Sequence, residues 1–442
     1  MKINIKQIFT YLFILIPIFL ITGPAIPDLI ITFGTIFGMI WLIIMEKNNG
    51  LFKQKFIQVS LIFWISLIFI SFFSFNKINS FQDSIIFLRY LLIPICCYYF
   101  FFINDKIFNY LLLIIFLAVI FVSIDSLYQF LNYTSKNGFG KDLIGFKSNW
   151  YGRLTGPFGD ELVPGSYLSK FGLLGYAYLL YNKKFNRIKF AHTIYLTTIL
   201  VVCFASGERM ALATFSLALI ILLIFLKNYR VTVLTSCILG LLLIFAIYKY
   251  HPFYNDFEVI DSNEFHQGLK IEKKFKCEED KNKICSKIID IQPSFFKIIK
   301  NFNTSAYGEI YLLSYKMFVS NPITGIGISN FEYLCNQIDE YNKLMTNYNC
   351  ASHPHNTYIQ WLAEGGLIVF STFLIYLFTI IVLIEKNDGE QKFKILSIVV
   401  LIILFWPIMS TGSLIKNWYG ILVFFIIGVC LCLSKLKINS KY

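Results

Sequence analysis

Long apolar runs alternate with short polar stretches along most of this chain. Runs of about 17–25 mostly apolar residues are long enough to cross a bilayer as helices. About twelve spans are expected, at roughly 8–23, 28–45, 56–75, 83–103, 108–131, 164–182, 191–206, 210–226, 231–249, 366–384, 395–411 and 418–434. Two polar stretches are longer than a connecting turn. The first, about 132–163, is rich in Gly and Pro and predicts a folded-back loop. The second, about 250–365, opens on a charged part, Glu272 to Lys283. It continues through an expected helix at about 306–319, with Ile310, Leu313, Tyr315, Met317 and Phe318 as apolar members. It then turns at Asn321-Pro322-Ile323-Thr324-Gly325-Ile326-Gly327. The expected organisation is 1–249 with nine spans and the 132–163 loop, 250–365 as a large outer loop with short helices, and 366–442 with three spans and a tail. The expected fold is an all-α polytopic membrane protein.

Composition agrees: 57% of the residues are hydrophobic and only 15% are charged. A net charge of +13 would suggest nucleic acid in a soluble chain. Here it reads as topology, and no nucleic-acid partner is expected. With the N-terminus in the cytoplasm, the short inner loops and tails hold Lys2, Lys6, Lys47, Lys53, Lys55, Lys106, Lys183, Lys184, Arg187, Lys189, Lys227, Arg230, Lys386, Lys392, Lys394, Lys435, Lys437 and Lys441. The short outer loops keep only Lys77, Arg209 and Lys416. This bias places both termini in the cytoplasm and the two long loops outside. The basic start of the first span resembles a signal peptide, but no small-residue cleavage site follows, so it is expected to stay as an anchor. No internal repeat and no Walker or Rossmann glycine pattern is present.

Four of the ten cysteines, Cys277, Cys285, Cys335 and Cys350, fall in the second outer loop. An even number in an oxidising compartment predicts two disulfides, with Cys277–Cys285 and Cys335–Cys350 as the natural pairs. Their spacings do not fit a zinc site. The cysteines within spans read as buried thiols.

Candidate chemistry gathers at the outer boundary. Ser352-His353-Pro354-His355-Asn356-Thr357-Tyr358 holds two of the five histidines and leads into a span. Pro354 ends what precedes it. Tyr358, Ile359, Leu362 and Ala363 then give a fresh helix its apolar stripe. His355 and Asn356 are expected in its first turn, where free N–H groups and the helix dipole favour an anion. Gly365-Gly366 is expected to loosen the helix before the next span. Arg89, Asp125, Arg153, Asp160, Glu161, Glu208 and Arg209 share this level. Each has a plainer reading: Arg89 paired with Asp125 in the bundle, Arg209 snorkelling to headgroups, Asp160 and Glu161 capping a helix, a histidine simply solvated. Together they suit an anionic lipid headgroup such as a phosphate or pyrophosphate. No serine elbow, His-Glu-x-x-His or paired-aspartate metal motif appears, which favours metal-free transfer from a lipid-linked diphosphate. Arginines would neutralise the leaving group and a histidine would accept the proton of the acceptor hydroxyl. A transporter would place its ionisable groups near the midplane and show internal repeats, and the chain has neither.

His355-Asn356, nine residues and then Gly366 resembles the histidine motif of the O-antigen ligase and polymerase superfamily. Arg153-Leu154-Thr155-Gly156-Pro157-Phe158-Gly159 resembles its loop before the sixth span, and Ser206-Gly207-Glu208-Arg209 its short arginine turn. Asn321-Pro322 through Gly325-Ile326-Gly327, with Asn330-Phe331, resembles a further segment. The resemblance implies an all-helical GT-C-like fold and transfer of an undecaprenyl-diphosphate-linked glycan at the periplasmic face of the bacterial inner membrane. The ligase moves whole O-antigen to lipid A-core; the polymerase joins repeat units. Both are inverting and need neither metal nor cofactor. The resemblance further implies that His355 activates the acceptor and Arg209 binds the diphosphate. From their place at the outer boundary and beside the histidine, Arg153, Arg89, Asp160, Glu161, Asn356 and Tyr358 are candidate substrate-binding residues. Two positions depart from the family. Val369 ends the histidine motif, and the ligases' second arginine is missing near Tyr307-Gly308-Glu309. Arg153 or Arg89 is the candidate replacement. Of the two activities the ligase is favoured, since the His355 motif is its better-known signature.

Overall fold

Backbone N–H and C=O groups in hydrocarbon find no water, so an apolar run that crosses a bilayer must satisfy its own hydrogen bonds as a helix. The computed structural model describes residues 4–45, 50–186, 188–255, 258–261, 269–276, 284–291, 300–346, 348–408 and 410–437. A helix covers at least part of every expected span. Five helices are long and apolar enough to cross a membrane by themselves: Ala25–Ile44, Lys77–Phe101, Asp105–Leu131, Lys227–Tyr250 and Thr357–Lys386. Along the first of these, Leu29, Phe33, Ile36 and Ile40 point outward and are each at least half exposed. Such a stripe would be a liability in water and is an ordinary face against lipid. The chain is a mostly helical, multi-pass membrane protein. Lys2, Lys47, Arg187, Cys277, Lys283 and Lys441 lie outside the described residues.

The chain forms two compact units, Met1–Leu111 with Phe302–Tyr442, and Leu112–Asn301. The first is built round helix Asn417–Leu433, which is buried from Tyr419 onward. An aromatic core adjoins it. Phe87 packs edge-on to Phe424, Trp361 and Phe63, with ring centroids 5.5–5.8 Å apart. Trp361 belongs to Thr357–Lys386, so this core fixes the roll of the helix that follows His355.

Helix Thr357–Lys386 is kinked at Gly366, which has φ 60° and ψ −164°. The turn that begins at Asn321-Pro322 runs beside the kink and bonds to it. Ile326 N donates to Ala363 O and Gly327 N to Glu364 O, at 3.0 and 2.9 Å. In return Leu367 N donates to Pro322 O at 2.9 Å and Ile368 N to Ile323 O at 3.2 Å. The kink frees backbone groups of the helix and the turn takes them up. A Cβ on Gly366 would collide with the backbone of Ile323 and Gly325, so both the dihedrals and the close approach require glycine.

The second unit is built round Pro164–Tyr181, in which every residue from Pro164 to Leu180 except Ser166 is buried. It also contains a sheet that an all-helical reading did not foresee. Glu258–Asp261, Leu269–Lys276 and Ile284–Ile291 form three antiparallel strands in sequence order. Lys273 occupies an inward position of the middle strand. Its ammonium donates to the Pro252 and Phe253 carbonyls, at 3.2 and 3.1 Å, and lies over the Phe253 and Tyr133 rings. The lysine is buried at no orphaned-charge cost because those carbonyls and rings replace its water.

Candidate active site

In the first unit, Asn356 is the N-cap of Thr357–Lys386, its side chain accepting from Tyr358 N and Ile359 N at 3.0 and 3.1 Å. Asparagine suits this position because its side-chain oxygen satisfies N–H groups that the helix leaves free. The sequence expectation placed His355 and Asn356 inside the first turn. Asn356 instead uses those N–H groups itself, and His355 lies one residue before the cap. Asn356 also donates to Pro407 O at 2.8 Å, and the Tyr358 hydroxyl donates to Phe405 O at 2.6 Å. Both residues are therefore committed to holding the start of this helix.

His355 has φ +53°, a left-handed conformation that non-glycine residues seldom adopt. Its carbonyl is fixed by Thr411 N at 2.7 Å. Its ring lies 4.2 Å from the His353 ring and edge-on to Tyr307 at 6.1 Å. The Tyr307 hydroxyl donates to Ser410 Oγ at 3.1 Å, which anchors that ring. The two histidines differ in one respect. His353 Nε2 lies 3.2 Å from the Thr411 carbonyl, which only accepts, so Nε2 carries the proton. Its Nδ1 is 3.0 Å from Ser352 Oγ. The His355 imidazole, by contrast, makes no hydrogen bond with any described residue. Burial lowers the pKa of both rings, that of His353 to about 4, helped by the neighbouring His355 and Lys416. Both rings are neutral at physiological pH, and of the two only His355 has ring nitrogens without a hydrogen bond to a described residue.

Arg89 belongs to this unit, and its partner is Asp28, 2.8 Å away, rather than the expected Asp125. It also donates to Asn417 Oδ1 and to the Tyr90 hydroxyl, at 2.8 and 2.9 Å. Sequence reasoning passed over Asp28, which sits in the first turn of Ala25–Met45. The Cys335–Cys350 disulfide is present as expected. Cys285 is disulfide-bonded, while Cys277 lies outside the described residues.

In the second unit, Glu208 reaches the N-terminus of Pro164–Tyr181. Its two oxygens accept from Gly165 N and Ser166 N, at 2.7 and 3.0 Å. The carboxylate thus fills the anion position that a helix start creates. The plainer reading of Asp160 and Glu161 was a solvated pair capping this helix; both are exposed, and Asp160 accepts from Asn149 Nδ2 at 3.3 Å, while the cap comes from Glu208. Burial raises the pKa of Glu208, and the charges of Arg153 and Lys170 oppose it. Lys170 is buried within the helix and donates to Ser166 Oγ at 2.6 Å. Arg153 Nη2 donates to Leu162 O at 3.0 Å. The loop carrying Arg153 is tied down by Leu154 N to Ser206 O, 3.1 Å, and by Gln129 Oε1, which accepts from Thr155 N and Gly156 N. Arg209 opens helix Arg209–Phe225 and is half-buried. Asp125, also in this unit, accepts from Leu143 N at 3.0 Å.

Residues 194–374 match the O-antigen ligase family model, Wzy_C. Over that stretch the chain is similar to the O-antigen ligase family. The O-antigen ligase match takes in Arg209, the Asn321-Pro322 turn, His355 and Gly366, and leaves Arg89, Arg153, Asp160 and Glu161 outside it. It supports an enzyme of the O-antigen ligase or polymerase type acting on lipid-linked glycan. No curated protein matches the chain.

Proposed function

We propose that this protein is a bacterial inner-membrane glycosyltransferase that moves an undecaprenyl-diphosphate-linked O-antigen polysaccharide to lipid A-core at the periplasmic face. The transfer is metal-independent and inverting. About twelve spans in a GT-C-like arrangement, with both termini in the cytoplasm, carry the large 250–365 loop on the periplasmic side. The observation that carries the reading is the state of His355 within the matched stretch. It is a neutral, half-buried imidazole with no hydrogen-bond partner among the described residues, held by a strained backbone beside a helix cap. A general base needs a free lone pair at neutral pH, and His353, whose nitrogens are both engaged, lacks one. His355 accepts the proton of the acceptor hydroxyl as that oxygen attacks the anomeric carbon. The bond to the diphosphate breaks, and the carrier leaves with its electron pair. By the family resemblance Arg209 neutralises the charge on the departing diphosphate, with Arg153 or Arg89 as the second cation.

The test is the surface glycan of a strain lacking this gene. Long polymer left on the undecaprenyl carrier, with bare lipid A-core, is expected. Core bearing one repeat unit and no long chains would assign polymerase activity instead. An unchanged ladder would overturn both and return the transporter reading.

A further inference from the structure

We infer that the second unit carries a calcium site beneath its first long loop, made by Asp125, Ser126 and Asp142. Asp125 and Ser126 lie near the C-terminal end of helix Asp105–Leu131, and Asp142 lies in the turn closed by its own N–H on Phe146 O, at 2.8 Å. Asp125 and Ser126 are fully buried and Asp142 is 3% exposed. Each residue leaves one oxygen over. Asp125 Oδ1 accepts from Leu143 N at 3.0 Å, and Asp142 Oδ1 accepts from Gly145 N and Phe146 N at 2.6 and 2.7 Å. The second oxygen of each carboxylate and the Ser126 hydroxyl are buried with no hydrogen-bond partner among the described residues. Neither carboxylate forms an ion pair with a described residue.

These oxygens border one space. Leu143 directly follows Asp142, so its bond to Asp125 brings the two carboxylates together, and their charges act on each other. Gly156 covers the spot. Its φ of +51° favours glycine, and a Cβ there would stand 2.7 Å from Ser126 Oγ and 3.7 Å from Asp125 Oδ2. The hydroxyl and the spare carboxylate oxygen therefore both face the gap that the missing side chain leaves.

Two like charges buried together without a cation are costly, and a divalent ion removes that cost. All the donors are oxygens, which select a hard ion. No three His, Cys, Asp or Glu side chains converge among the described residues, so the protein offers an open, irregular set rather than a closed cage. Calcium suits such a set, because it takes roughly 6–8 oxygens in flexible geometry and fills its shell with water, whereas magnesium demands a near-ideal octahedron. The ion would fasten helix Asp105–Leu131 to the loop that carries Arg153. Gln129, one turn on from Asp125, already holds that loop through Thr155 N and Gly156 N, at 3.0 and 2.9 Å. Calcium takes no part in the transfer step. Its effect through Arg153 rests on the proposed transferase reading; the site itself does not.

The test uses the full-length protein in detergent micelles, stripped of calcium with a chelator and titrated with calcium chloride. Binding is read by equilibrium dialysis of radioactive calcium, and stability by thermal melts. One ion per chain is expected, with a Kd of roughly 0.1–1 mM, as in calcium modules outside cells. At about a twentyfold excess over Kd the Tm should rise by about 2–4 °C. Asp125→Asn with Asp142→Asn keeps an acceptor for each backbone N–H, removes both charges and should abolish binding. Ser126→Ala removes one ligand, should weaken binding about fivefold, and serves if the double variant does not fold. No saturable binding by the wild type would overturn the site and leave a proton shared by the two carboxylates. Unchanged binding in either variant would overturn it too, by placing the calcium elsewhere. Calcium binding by a protein without transfer activity would overturn the transferase reading and leave the site standing; transfer by a protein that binds no calcium would do the reverse.

Discussion

Replacing His355 with glycine separates catalysis from folding at one position. His355 holds φ +53°, which costs a non-glycine residue roughly 1–2 kcal/mol. Glycine removes that strain, and its freer unfolded state costs roughly 0.5–1 kcal/mol in return. The imidazole is half-buried, packs against the Tyr307 and His353 rings and makes no hydrogen bond with a described residue, so its loss forfeits about 1 kcal/mol of burial and orphans no described partner. These contributions cancel to within about 1 kcal/mol. The apparent Tm of the purified protein should move by less than about 4 °C. Transfer should nevertheless fall by roughly 10²–10⁴-fold, the usual contribution of a general base. The assay pairs a thermal melt with a single-turnover transfer measurement on the same preparation. A large drop in Tm with a proportionate drop in rate would make His355 a structural residue, and unchanged transfer would remove it from the chemistry.

Three further outcomes follow from the same geometry. Gly366→Ala should destabilise the protein by about 2–4 kcal/mol, from a glycine-only conformation and from weakened bonds to the Pro322–Ile323 turn, read as a fall in Tm. Cys335→Ser should remove about 3 kcal/mol of local stability, since the bridge closes a separation of 15 residues, and proteolysis should then enter the 331–350 segment first. Lowering the pH should stop transfer with an inflection below the ordinary histidine value of about 6.5, because burial depresses the His355 pKa and the protonated ring accepts nothing. Stability should decline over a related window. His353 titrates at about 4 in the fold, against about 6.5 unfolded, so the unfolded state takes up protons first as the pH drops.

The helices were legible in the sequence because a bilayer demands long apolar runs and the chain supplies them. Asparagine ahead of an apolar stripe is also a start signal, yet Asn356 was expected inside the first turn, and the helix starts at least two residues later than expected, at Thr357. The left-handed backbone of His355 left no trace, because nothing in a His-Asn pair encodes φ. The sheet was half visible. Leu269, Ile271 and Phe275 alternate, but Lys273 at the intervening inward position made the stretch look merely charged. The capping reading of Asp160 and Glu161 failed for a spatial reason. The carboxylate that caps Pro164–Tyr181 comes from Glu208, 43 residues from Gly165, and sequence proximity favoured the wrong pair. Arg89 likewise found Asp28, 2.8 Å away but far along the chain.

Reconstituted transfer tests the central claim most directly. The purified protein is mixed with undecaprenyl-diphosphate-linked glycan and lipid A-core, and products are followed by mass spectrometry. The account predicts glycan-bearing lipid A-core from the wild type, with free undecaprenyl diphosphate released, and none from His355→Ala. Equal product from both proteins would contradict it.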